Sequence, residues 1–114
     1  MANEEIPKET EQKISQLQLY EQNMQNFLMQ KQQFQLQIVE TESALKEIEK
    51  TKEAYKIIGG IMVSCKKEDL KKELNSKKEI AELRVKSLEK QETQIKEKAT
   101  KLQAEVMESL KDSK

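Results

Sequence analysis

Three features of this 114-residue chain have residue types that could do chemistry: the single thiol of Cys65, the adjacent glycines Gly59 and Gly60, and carboxylates spaced three or four residues from lysines. A cysteine nucleophile works as the thiolate and needs a neighbouring base or cation to form it. The chain has no histidine, so Cys65 reads as a small strand residue. Being alone, it excludes an intrachain disulfide and fits a reducing compartment. A glycine pair can cradle phosphate, but only within a G-x-x-x-x-G-K-[ST] pattern, and none surrounds Gly59-Gly60. Paired carboxylates do acid–base work on a concave scaffold, whereas Glu47 with Lys50 and Glu82 with Lys86 have the i,i+3 and i,i+4 spacing of ordinary helix-surface support. No cysteine pair or nucleophile elbow is present either. The chain is read as a non-enzyme without a cofactor or metal; catalysis would require a partner subunit to supply the site.

The elements that carry these residues have the composition of long helices. Charged residues make up 37% and aromatics 4%, with one proline and two glycines, a bias typical of coiled coils and poor for building a compact core. The formal charge is zero but unevenly divided. Residues 1–57 hold seven lysines against ten carboxylates, and residues 58–114 fourteen cations against eleven, so the halves carry −3 and +3. Antiparallel pairing of the halves gains mildly from this. The lysines from Lys66 to Lys78 are interrupted by Glu68, Asp69 and Glu73, which leaves no concentrated basic face for nucleic acid. No apolar run reaches membrane-span length, and Met1-Ala2-Asn3-Glu4-Glu5 lacks the basic and apolar parts of a signal peptide. The expectation is a cytoplasmic protein that binds neither membrane nor nucleic acid.

Gly59-Gly60 falls in Tyr55-Lys56-Ile57-Ile58-Gly59-Gly60-Ile61-Met62-Val63-Ser64-Cys65, the only stretch that reads as β-structure. Two short aliphatic runs around a glycine pair predict a hairpin with a two-residue primed turn, which needs positive φ at both central positions. Ile58 then faces Ile61, Ile57 faces Met62, Lys56 faces Val63 and Tyr55 faces Ser64. Successive pairs point to opposite faces, so both faces are partly apolar. A lone hairpin is marginal in water and has two unpaired edges. Tyr55, Ile57, Ile58, Gly59, Gly60, Ile61, Met62 and Val63 are therefore expected to form an oligomerisation site, at which strands from other subunits complete a sheet or barrel.

Heptad patterns flank the hairpin. From about Thr10, positions a and d run Leu17, Tyr20, Met24, Phe27, Lys31, Phe34, Ile38, Thr41, Leu45 and Ile48, the 3-4 spacing that keeps one seam facing a partner helix. A second seam runs Lys71, Leu74, Lys78, Ala81, Val85, Leu88, Glu92, Ile95, Ala99 and Leu102. The predicted elements are a helix over about 10–53, the hairpin over 54–66 and a helix over 67–111, with residues 1–9 as a frayed start or first turn. Each helix would run about 60 to 65 Å at 1.5 Å per residue. Folding about the glycine pair matches residues whose numbers add to 119, so Leu17 meets Leu102, Tyr20 meets Ala99, Met24 meets Ile95, Phe34 meets Val85, Ile38 meets Ala81 and Leu45 meets Leu74. Phe27 with Glu92, Lys31 with Leu88, Thr41 with Lys78 and Ile48 with Lys71 are mixed layers. Two unrelated heptads would be in phase about this centre by chance about one time in seven.

Carried outward, the rule sets Lys13 against Val106 and Thr10 against Ser109, so the paired apolar seam is expected to stop at Leu17 and Leu102 with loosely held ends beyond. Ile6, Ile14, Met107 and Leu110 lie there without seam partners, as a frayed end or as a binding surface. A further oddity is the stretch from Ile14 to Val39, rich in glutamine and asparagine with only Glu21 and Lys31 charged. Its off-seam Leu19, Met29, Leu36 and Val39 make either a neutral helix surface or an adaptable contact face.

A helix, a short hairpin and a matching return helix, with Ala54-Tyr55-Lys56-Ile57-Ile58-Gly59-Gly60-Ile61-Met62-Val63 at the turn, resemble the β class of prefoldin subunits, particularly the archaeal ones. The resemblance covers nearly the whole chain and extends to Ala44-Leu45-Lys46-Glu47-Ile48-Glu49-Lys50, to Gln91-Glu92-Thr93-Gln94-Ile95 and to the glutamine-rich first helix. A single hairpin, where the α class has two, points to β. The chain departs from the family in its short Thr51-Lys52-Glu53 connection, where members often carry a longer extended stretch. The resemblance implies a mainly α fold, a long antiparallel two-helix coiled coil whose hairpin pools with others into a β-barrel. It further implies a hexamer of two α and four β subunits whose helix tips hold unfolded proteins, without ATP, and pass them to a group II chaperonin. Ile6, Ile14, Leu17, Val106, Met107 and Leu110 would be the client-contacting set. The alternative is a scaffolding coiled coil whose hairpin sets the oligomeric state and whose tips bind one specific folded partner.

Overall fold

The computed structural model describes residues 6–112. The elements follow in the order α1 (Lys8–Glu49), β1 (Ala54–Ile58), β2 (Ile61–Cys65) and α2 (Lys67–Asp112), so the fold is mainly α, with two long helices joined by a two-stranded antiparallel hairpin. Of the start expected over residues 1–9, the first five lie outside the described residues. Ile6 and Pro7 precede the helix. The Pro7 carbonyl accepts the amides of Thr10 (2.9 Å) and Glu11 (3.0 Å), satisfying two of the donors every helix start leaves open. Glu9 and Glu11 in that first turn complement the helix dipole.

α1 ends at Glu49, not near residue 53 as the sequence pattern suggests. The Lys50 amide bonds to the Glu47 carbonyl and the Thr51 amide to the Ile48 carbonyl, each at 3.1 Å. These i→i+3 bonds tighten and close the last turn, and the Thr51 hydroxyl also donates to the Ile48 carbonyl at 3.2 Å. Stopping there frees Lys52 and Glu53 to turn the chain, so that Ala54 enters the sheet opposite Cys65. Gly59 and Gly60 occupy the turn at φ 55° and 81°, the left-handed values a type I′ turn demands. The pairs Ile58–Ile61, Ile57–Met62, Lys56–Val63 and Tyr55–Ser64 form as the pattern predicts. α2 opens with the Leu70 amide on the Lys66 carbonyl (3.0 Å) and with Glu68 and Asp69 in its first turn.

The described residues divide into two compact units, one of residues 31–87 and one of the remaining helix ends, residues 6–30 with 88–112. In the first, the seam positions Phe34, Ile38, Thr41, Leu45 and Ile48 of α1 and Lys71, Leu74, Lys78, Ala81 and Val85 of α2 are all half-buried or buried. Its mixed layers are resolved by local bonding. The Thr41 hydroxyl, in a side chain only 8% exposed, donates to the Gln37 carbonyl at 2.6 Å. Lys78 turns its ammonium out of the seam to Glu42 (3.4 Å), and Lys71 does the same to Glu49 (2.5 Å). The long methylene stems of both lysines stay in the apolar layer while the charges reach the rim.

In the second unit Leu17, Tyr20, Met24 and Phe27 line the seam with Leu88, Glu92, Ile95, Ala99 and Leu102. Here the expectation of loosely held ends beyond Leu17 and Leu102 is corrected. The seam continues through Lys13 and Val106 to Thr10 and Ser109, whose hydroxyls hydrogen-bond at 2.5 Å. Thr10 is 1% and Val106 7% exposed. The Lys13 ammonium pairs with Glu105 of α2 (3.9 Å), which gives its charge a partner at the layer of the buried Val106.

Candidate functional site

The hairpin is a surface of exposed apolar side chains. Alternation places Ala54, Lys56, Ile58, Ile61, Val63 and Cys65 on one face and Tyr55, Ile57, Met62 and Ser64 on the other. The first face is held down at its root, where Ala54 is 6% exposed and Cys65 half-buried, while Ile58 and Ile61 at its end are exposed. On the second face Ile57 and Met62 are 71% and 67% exposed. Large aliphatic groups exposed on both sides of an unpaired two-stranded sheet mark an interaction surface.

Polar contacts hold that surface in place. The Lys56 ammonium lies 3.3 Å from a Glu73 carboxylate oxygen, joining β1 to α2. Lys67 reaches the Glu49 carbonyl at the end of α1 (3.4 Å), beside the Lys71–Glu49 pair. The hydrogen bond and charge of Lys71 hold the Glu49 carboxyl below the usual glutamate range, and Glu49 in turn holds the Lys71 ammonium above its own. The Tyr55 hydroxyl donates to Glu53 at 2.7 Å, which pushes the phenol pKa up because ionisation would forfeit that bond. Beneath β1 lies an open groove of about 530 Å³ whose apolar lining includes Ala44, Ile48, Ala54, Ile58, Leu70 and Leu74.

In the unit of helix ends, the candidate contact residues fall into distinct environments. Met107 is 66% exposed, and Ile6 and Leu110 are exposed to lesser degrees. Ile14 and Leu17 are half-buried and Val106 is buried in the seam. The heptad places Ile14 and Leu110 at e positions beside the seam and Met107 at a b position, further out on the helix surface. Of the off-seam residues in the glutamine-rich stretch, Leu19, Met29, Leu36 and Val39 are all exposed, and so is Leu28, which the pattern did not single out. Ile80 and Leu83 of α2 are exposed as well. The hydroxyl pair of Thr10 and Ser109 and the Lys56–Glu73 tie were also missed as site features. The pairing rule did set Thr10 against Ser109, but two short polar side chains gave no reason to expect a bond. Among the described residues no cluster of histidine, cysteine, aspartate or glutamate is arranged to hold a metal ion, and no helix is long and apolar enough to cross a membrane.

A family model described as "Prefoldin subunit" matches residues 11–113. The chain belongs to the prefoldin subunit family. Among its prefoldin relatives it is similar to the prefoldin β subunits of Archaeoglobus fulgidus, at 36% identity over 93% of this chain and 94% of that one. It is likewise similar to that of Pyrococcus furiosus, at 37% identity over 93% of each. The crystal structure of the prefoldin β subunit from Thermococcus strain KS-1 superposes with a TM-score of 0.84 at 35% identity, covering 93% of this chain and 96% of that one. The β-class resemblance carried by Ala54–Val63 is thus borne out, and with it a chaperone-associated role.

Proposed function

We propose that this chain is an ATP-independent holdase subunit. Its helix ends bind unfolded polypeptides, and its hairpin joins those of prefoldin α and sibling β subunits in an α2β4 hexamer that delivers clients to a group II chaperonin in the cytoplasm. The observation that carries this reading is the distribution of exposed apolar side chains. They gather on both faces of the hairpin, which gives assembly a surface, and recur at the helix ends as Ile6, Met107 and Leu110. Ile14 and Leu17 flank them half-buried. Such a surface suits clients whose only shared property is exposed apolar chain. Neither conformational energy from nucleotide nor a reacting group is needed to hold them. Gly59 and Gly60 serve assembly indirectly, by setting the strand register that exposes Tyr55, Ile57, Ile58, Ile61, Met62 and Val63 together.

The test is suppression of aggregation of several chemically unrelated unfolded proteins, without nucleotide, by the assembled oligomer. Deleting residues 1–12 and 104–114 is expected to abolish suppression while native mass is retained. Broad suppression that survives the deletion would overturn the tip assignment. Failure with every client would favour a scaffold that binds one folded partner.

A further inference from the structure

The groove beneath β1 does not stop at the root of the hairpin. A second open section of about 530 Å³ continues it along the helices, and the two sections share Ala44, Leu74 and Lys77 in their walls. Both lie on one flank of the seam, the side of the g positions Gln37 and Ala44 of α1 and Leu70 and Lys77 of α2. The helix walls run from Gln37 to Ile48 and from Leu70 to Ile80, about 16 Å at 1.5 Å per residue. Ile48 and Leu74 are half-buried along the floor, and Ile80 is exposed at the far end. Hairpins that assemble take up the strand faces; the length of groove between the helices remains.

The walls limit what can lie there. Both helices satisfy their backbone groups internally, so this length of groove offers an extended strand nothing to pair with. A third helix brings its own backbone bonds, and 16 Å is about three of its turns. Ala44, half-buried and with only a methyl group, leaves room for that helix to come close at the middle of the groove. The rim sets the charge. Lys56 is tied to Glu73 at 3.3 Å, which leaves Glu40, Glu47 and Glu53 against Lys77. Glu47 pairs at 3.7 Å with Lys50, but both side chains are well exposed and such a pair exchanges readily for another cation. Glu53 accepts the Tyr55 hydroxyl, which brings no charge.

We propose that this flank docks an amphipathic helix of a partner protein, about three turns long, with aliphatic side chains on one face and lysine or arginine beside them. Aliphatic anchors at i, i+3 or i+4 and i+7 rest on Ile48, Leu74 and Ile80 with their backbone over Ala44, and the flanking cations meet the rim carboxylates. The inference goes beyond the holdase reading and does not depend on what the helix ends bind.

The probe is a fluorescent synthetic helix of about 14 residues, with leucines at that spacing and lysines beside them, titrated into the full oligomer. A glutamate-flanked version and one with its leucines moved off the spacing are the comparisons. The lysine version is expected to bind about five-fold more tightly than the glutamate version at low salt, and to slow amide exchange over residues 37–48 and 70–80. Ala44→Phe fills the middle of the groove and should weaken it about ten-fold. Glu40→Lys with Glu47→Lys, at exposed positions off the seam, should reverse the charge preference. Suppression of client aggregation that stays normal in Ala44→Phe while peptide binding falls supports a site separate from that of clients. Absent binding, equal binding of the three peptides, or protection confined to the helix ends would overturn the inference. A fall in native mass of Ala44→Phe before any peptide is added would assign the groove to a second copy of the chain and overturn it as well.

Discussion

At the scale of single residues, the polar side chains of the seam explain how a coiled coil with lysine and threonine at inward positions still packs. Thr41 satisfies its hydroxyl on its own helix, and Lys71 and Lys78 bury their stems and send their charges to Glu49 and Glu42. The Glu49–Lys71 pair also sets a pH dependence. Glu49 is held below its ordinary value, so its contribution to stability is present above the usual glutamate range and lost as pH falls through the lowered value. Lys71 is held above its ordinary value, so its share is present at neutral pH and lost as pH rises through the raised one. Thermal melts of the native chain and Glu49→Gln should therefore differ slightly near neutrality and converge in acid. The difference is small because the carboxylate is exposed and screened. A gap that persists unchanged well below the glutamate range would show that the pair does not act electrostatically.

At the scale of elements, the turn decides what the hairpin can present. Nothing lies within 4 Å of a side chain built at Gly59 or Gly60, so the requirement for glycine is one of backbone angle and not of space. Gly60→Ala places a side chain at φ 81° and should cost about 1–2 kcal/mol, read as a lowered unfolding midpoint at fixed protein concentration. An unaltered midpoint would mean the turn relaxes to another type. The helices illustrate the same dependence of element on neighbour. α1 could have run on through Lys50 to Glu53 by propensity, and it stops at Glu49 because the strand must begin at Ala54 to pair with Cys65.

At the scale of the whole molecule, the hairpin and the helix ends have complementary parts in the proposed function, one joining subunits and the other gripping clients. Ile58→Asp or Ile61→Asp puts a charge on a strand face that is exposed in the single chain and that the proposed assembly would bury. An unpaired buried charge is costly enough to prevent a stable interface. Sedimentation with α subunits present should show the hexamer lost and the variant chain still helical by circular dichroism. A variant of unchanged mass would contradict the pooled hairpin.

Much of the architecture was legible because it depends on periodicity. Both seams, the hairpin register and the exposed off-seam Leu19, Met29, Leu36 and Val39 follow from which residue types recur at periods of seven and two. Those periods fix what faces what, whatever the surroundings. The β-class resemblance was likewise legible, from the single hairpin and from runs of which Ala54–Val63 is the most specific. Burial at the ends was not legible, since it depends on whether two particular side chains meet. The sequence set Thr10 opposite Ser109 and a lysine opposite Val106, and polar types at those positions suggested an open end. Only the tertiary structure brings the two hydroxyls within hydrogen-bonding distance and swings the Lys13 ammonium out to Glu105. That geometry is compatible with a buried Val106, because a short hydroxyl can satisfy another hydroxyl without water and a long lysine can carry its charge to a carboxylate on the partner helix.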